Sequence, residues 1–116
     1  MRYDQTFGEN RIIIGENAQE NEDLINMSKQ NDLWFHIKDY SGPHLVLKIN
    51  DSLTDTKLIV TKRILNYCAN LVKLHSKKYM MKNLEIMYTE IRNIKLTKDT
   101  VGEVLVKNNK CQYLKV

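Results

Sequence analysis

One proline, four glycines and two cysteines stand in 116 residues, and each scarcity removes a class of protein. So little Gly and Pro, beside 42% hydrophobic residues, excludes low-complexity chain and predicts a packed domain. Two cysteines cannot staple a disulfide scaffold. Cys68 falls in an apolar helical pattern and Cys111 in a strand-like segment, so both are expected as free thiols. No apolar run approaches the ~20 residues that cross a bilayer, so no membrane partner is expected. The start, Met1-Arg2-Tyr3-Asp4-Gln5, lacks the apolar core of an export signal, which predicts a cytoplasmic address. Neither a Gly-rich phosphate loop, nor an HExxH helix, nor a recognisable Ser/His/Asp or Cys/His arrangement is present. Nothing therefore argues for an enzyme, and no cofactor is implied. This length holds one core, so residues 1–116 are expected to form one domain.

The most informative absence is of negative charge in one stretch. Residues 1–56 carry five basic and ten acidic groups, residues 83–116 carry six and four, but residues 57–82 carry seven basic groups and no acidic one. A solvated helix face normally mixes the two signs, so a one-signed segment points to an anionic partner such as a phosphate backbone.

Hydrophobic periodicity supplies the elements. Residues 11–15 are rich in β-branched side chains and end in glycine, as a short strand does. Residues 17–29 space Ala18, Leu24, Ile25 and Met27 helically, with acidic groups toward the start. From Leu33 the period becomes two, with Leu33, Phe35 and Ile37 on one side and Trp34, His36 and Lys38 on the other. The turn Tyr40-Ser41-Gly42-Pro43 leads into a second alternating run, residues 44–49, so a hairpin is predicted. Val60, Ile64, Tyr67, Cys68, Leu71 and Leu74 predict a helix continuing through residue 78, with Lys62, Asn66, Asn70, Lys73 and Lys77 on its opposite stripe and Arg63 beside it. Strand-like pieces follow at residues 84–91, 103–107 and 111–116, joined by a polar connection over 95–102. The order predicts an α+β fold: a mainly antiparallel sheet with two helices packed on one face and the other face partly open.

That open face would carry Trp34, His36, Lys38, His44, Val46 and Lys48. Trp34 has two readings, a core residue or a stacking platform for an unpaired base beside His36 and Lys38. His36 and His44 can meet across the hairpin, which invites an acid-base or metal role. Zinc asks for three or four ligands, however, and neither cysteine is spaced to join them, so no metal is expected.

Several strings resemble a known family. Gly15-Glu16-Asn17-Ala18-Gln19-Glu20-Asn21-Glu22-Asp23-Leu24-Ile25, Asp32-Leu33-Trp34-Phe35-His36 and Ser41-Gly42-Pro43-His44-Leu45-Val46 resemble, in order and spacing, the NFACT-R domain of ribosome-quality-control factors and of standalone proteins. Met87-Tyr88-Thr89, Asn93-Ile94-Lys95 and Val101-Gly102-Glu103-Val104 resemble its closing strands and their connection. The chain departs from the pattern at Glu16, where a basic residue is frequent, and at Pro43, where a small residue is. What the chain resembles best is the standalone branch, in which the domain precedes a coiled coil; no heptads stand before Val116. The resemblance implies RNA as partner, either tRNA or ribosomal RNA, with the large ribosomal subunit as its setting. On this reading Lys38, Lys48, Lys62, Arg63, Lys73, Lys77, Lys78 and Lys95 hold phosphates, Trp34 and His36 meet bases, and His44 orders the hairpin or bonds phosphate or base. Two rival readings remain: an RNA-processing enzyme using His36 and His44, and a protein-interaction or DNA-binding adaptor.

Overall fold

The computed structural model describes residues 1–50 and 56–116. Its elements run β1 (Arg2–Asp4), β2 (Ile12–Gly15), α1 (Ala18–Asn26), β3 (Leu33–Ile37), β4 (His44–Leu47), α2 (Lys62–Leu74), β5 (Glu85–Glu90), β6 (Ile94–Leu96), β7 (Val104–Val106) and β8 (Gln112–Lys115). Six strands form one sheet in the order β1-β2-β4-β3-β5-β8, while β6 and β7 make a separate two-stranded ribbon. Every pairing is antiparallel. The α+β class is therefore as the periodicity predicts.

Period-two alternation places two cores on the two sides of the sheet. Ile12, Ile14, Phe35, Ile37, Leu45 and Leu47 face α2, which buries Ile64, Cys68, Ala69 and Val72 against them. Ile13, Trp34 and Val46 face the other way, onto Leu24 and Ile25 of α1 and onto Ile94, Val104 and Val106 of the ribbon. The helices thus lie on opposite faces, not on one. The physical reason is the strand pleat: both faces of β2, β3 and β4 are apolar, so each needs a cover. No open face remains at Trp34.

Local chemistry explains the element ends. α1 starts at Asn17, whose side chain accepts from the backbone N–H of Glu20 at 2.9 Å, and Glu20 Oε1 reaches back to the N–H of Glu16 at 3.1 Å. Asn17 thereby satisfies one orphan donor of the first turn, and Glu20 fastens the residue before the cap. Thr61 caps α2 in the same way, through the N–H of Ile64. The helix ends at Leu74, short of the expected residue 78, because Ser76 offers the backbone an alternative: its hydroxyl donates to Lys73 O at 2.7 Å and accepts from Lys78 N–H at 3.1 Å. Lys77 and Lys78 consequently stand in the following turn rather than on the helical stripe.

Two buried ionic side chains hold the frame. Asp32 accepts from the N–H of Lys29 at 2.8 Å and of Ile49 at 3.0 Å, tying the start of β3 to the end of the hairpin. Arg11 Nη1 donates to the carbonyls of Lys48 and Ile49, and its Nη2 to that of Thr56. Buried backbone acceptors are satisfied by this cation, which is structural rather than a phosphate ligand.

Candidate nucleic-acid interface

Five of the sequence strings, that of Met87 among them, converge on one cleft of about 510 Å³. Glu16, Asn17 and Ala18 come from the start of α1, Trp34 and His36 from β3, Ser41, Gly42 and His44 from the turn and β4, and Val101, Gly102, Glu103 and Val104 from the loop into β7. Two glycines allow this close assembly. A Cβ on Gly15 would meet Asn21 Oδ1 at 2.5 Å, and one on Gly102, which has φ of +79°, would meet Ala18 O at 2.7 Å. Only glycine fits both demands. Asn21, held against Gly15, accepts from the backbone N–H of His44 at 3.2 Å.

The floor of the cleft is an aromatic cluster. Trp34 is 1% exposed and His44 4%, and the indole N–H donates to Nδ1 of His44 at 3.1 Å. An indole can only donate, so Nδ1 accepts and the proton of neutral His44 sits on Nε2. His36 stacks on Trp34, with ring centroids 5.7 Å apart, and meets His44 edge-on at 4.8 Å. Burial lowers His36 to about 4; burial, with some repulsion from His36, lowers His44 to about 3. Both rings are neutral at physiological pH.

Neither nitrogen of His36 has a hydrogen-bond partner among the described residues, and neither is sealed from solvent. Among the described residues no group of three or more His, Cys, Asp or Glu is placed to hold a metal. The thiols are free: Cys68 is buried and pushed up to about 12 by that burial, with a contribution from Asp4, and Cys111 is also raised by burial.

The structure brings some expected residues together and separates others. His36 and His44 meet across the hairpin as the alternation predicts. Trp34 joins them but as core, covered by α1 and the ribbon, so no base can stack on it in this conformation. Lys38 lies over the Tyr113 ring at 5.3 Å, and Lys78 over the Tyr40 ring at 4.7 Å. Lys73 donates to the carbonyl of Val116 at 3.0 Å, which fastens α2 to the end of β8. Lys62, Arg63 and Lys77 are exposed, Lys95 is exposed on β6, and half-buried Lys48 borders a different hollow, with Met27 and Lys29. These cations do not form one stripe.

The sequence named Asn21 and Met87 only within the family-like strings and Tyr40 only in the turn, and did not single them out, or the exposed rings of Tyr79 and Tyr113, as site residues. Asn21 did carry a signal, since a polar side chain on the apolar stripe of Leu24 and Ile25 asks for a buried partner. A second groove, of about 950 Å³, opens between β5 and residues 57–60; Lys57, Arg92 and Lys110 line it, with Glu90 paired to Arg92 at 3.2 Å.

Residues 1–108 match the family described as the NFACT protein RNA binding domain. The chain belongs to the NFACT-R family. It is 35% identical over 97 residues to the Bos taurus protein named coiled-coil domain-containing protein 25, covering 80% of this chain and 45% of that one. A Dictyostelium discoideum homolog of that protein is 33% identical over 99 residues, covering 84% of this chain and 47% of its own length. The chain therefore spans less than half the length of the curated relatives it matches. A Streptococcus suis protein named Rqc2 homolog RqcH is 42% identical over 50 residues, which are 42% of this chain and 9% of that protein. Among solved structures, the C-terminal part of the fibronectin/fibrinogen-binding protein from Streptococcus suis superposes with a TM-score of 0.75 at 28% identity, covering 90% of this NFACT-R chain and 39% of the other. No helix among the described residues is long and apolar enough to cross a membrane.

Proposed function

We propose that this chain is a binding module for RNA, either tRNA or ribosomal RNA, acting in the cytoplasm in translation or ribosome-associated quality control. The observation that carries the reading is the match of residues 1–108 to an RNA-binding domain family. The one-signed segment 57–82 supports it physically, because its exposed cations release counterions when they neutralise phosphates. The reading asks no turnover of the paired histidines, whose rings are neutral at physiological pH. Backbone contacts of this kind carry little sequence information, so binding is broad.

Crosslinking in cells followed by sequencing of the attached nucleic acid tests the proposal. Enrichment of tRNA or ribosomal RNA supports it; recovery of DNA, or of protein partners that survive nuclease treatment, replaces it with the adaptor reading. Labelled tRNA incubated with the purified chain is expected to stay intact, and cleavage lost in His36→Ala and His44→Ala would establish the enzyme reading instead.

A further inference from the structure

We propose that the cleft between α1, the β3-β4 hairpin and the β6-β7 ribbon receives one unstacked nucleobase of the bound RNA, while the phosphates on either side stay outside it. This rests on the RNA reading above. The cleft volume, about 510 Å³, falls in the ~300–1,000 Å³ range of small-ligand pockets. Its chemistry selects among ligands. The charged side chains lining it are Glu16 and Glu103, with no Lys or Arg among the lining residues, and Arg2, outside the lining, is already paired with Glu16 at 3.1 Å, so a phosphate would meet repulsion and no free counter-charge there. The start of α1 favours no anion either, since Glu16 and Glu20 stand there and Asn17 already accepts from the N–H of Glu20.

A neutral, planar, hydrogen-bonding group fits instead. His36 presents one donor and one acceptor nitrogen, both without partners among the described residues, and a Watson–Crick edge offers the complementary pair. Met87, Val104 and Val106 supply apolar walls against which base faces can pack. Cations stand just outside. Tyr40, beneath Lys78, adjoins Ser41 at the rim, and Lys38 is next but one after His36. A strand of RNA would then leave its base in the cleft and its phosphates on these lysines, an arrangement that single-stranded and looped RNA permit and paired duplex does not.

The test compares a mixed-sequence RNA hexamer with a ribose-phosphate hexamer of equal charge that lacks every base, using the parent protein and Val101→Trp, which fills the cleft from its exposed rim. The parent should bind the base-bearing hexamer roughly tenfold more tightly, and the His36 ring nitrogen resonances should move with that hexamer alone. Val101→Trp, confirmed as folded by its amide spectrum, should bring the base-bearing hexamer down to the level of the other without changing the latter. Equal affinity for both hexamers with His36 unmoved overturns the base site while leaving RNA binding intact, and needs no variant. A base preference that Val101→Trp does not touch overturns it as well, by putting the bases elsewhere. Failure of both hexamers and of whole tRNA to bind overturns the RNA reading, and the base site with it.

Discussion

Trp34 fills the space between β3, α1 and the ribbon, and its indole N–H has one partner, His44. Truncation would open a cavity and also strand the histidine, so Trp34→Ala is expected to lower stability by roughly 3–5 kcal/mol, read as a shift in the urea midpoint. A variant that keeps the parent's urea midpoint would overturn the core assignment. The two histidines make stability depend on acid. Both fold with values lowered from 6.5, to about 4 and about 3, chiefly by burial, so the unfolded chain binds more protons than the folded one. Stability is then fully present above pH 6.5 and is lost as pH falls toward those lowered values, with a slope of up to ~1.4 kcal/mol per pH unit for each ring. Urea titrations between pH 7 and 4.5 should show this slope, and His36→Leu should reduce it by about half.

At the scale of elements, the loop into β7 meets α1 closely where Gly102 approaches Ala18. Gly102→Ala places a methyl against Ala18 O and forces a left-handed backbone on a residue that disfavours it, for a loss of ~1–3 kcal/mol. Hydrogen exchange should show the amides of β6 and β7 losing protection before those of β3 and β4. The hairpin was legible because Leu33, Phe35 and Ile37 alternate cleanly with Trp34 and His36, and that alternation also brought the histidines together. The choice between the two readings of Trp34 was not legible, because much of its cover comes from Ile94, Val104 and Val106, far along the chain in a segment read partly as a polar connection. β1 escaped notice because Arg2, Tyr3 and Asp4 form a polar edge strand without a core side. α2 was found by its period, but its end was set by the Ser76 hydroxyl, which a hydrophobic period does not register.

For the molecule as a whole, charge and structure separate the lysines into two groups. Lys77 and Lys82 are exposed and Lys78 covers a surface tyrosine, while Lys73 is engaged with Val116. Replacing Lys77, Lys78 and Lys82 with Gln should weaken binding to every RNA by a similar factor and reduce the slope of log K against log salt by roughly two units. Lys73→Gln should leave that slope alone and instead loosen the β8 edge, visible as faster exchange at Val116 and Leu84, which bond each other's backbone. An unchanged slope in the triple variant would move the phosphate track to the groove lined by Lys57, Arg92 and Lys110.

The chain has a single tryptophan, stacked on one histidine and bonded to another. Its emission is therefore an intrinsic optical reporter of the cleft, needing no dye or label. Protonation of either ring should quench it, entry of a ligand against His36 should change its intensity, and unfolding should shift it to the red as the indole meets water. One spectrum can thus follow acid titration, occupancy and global stability in the unmodified protein.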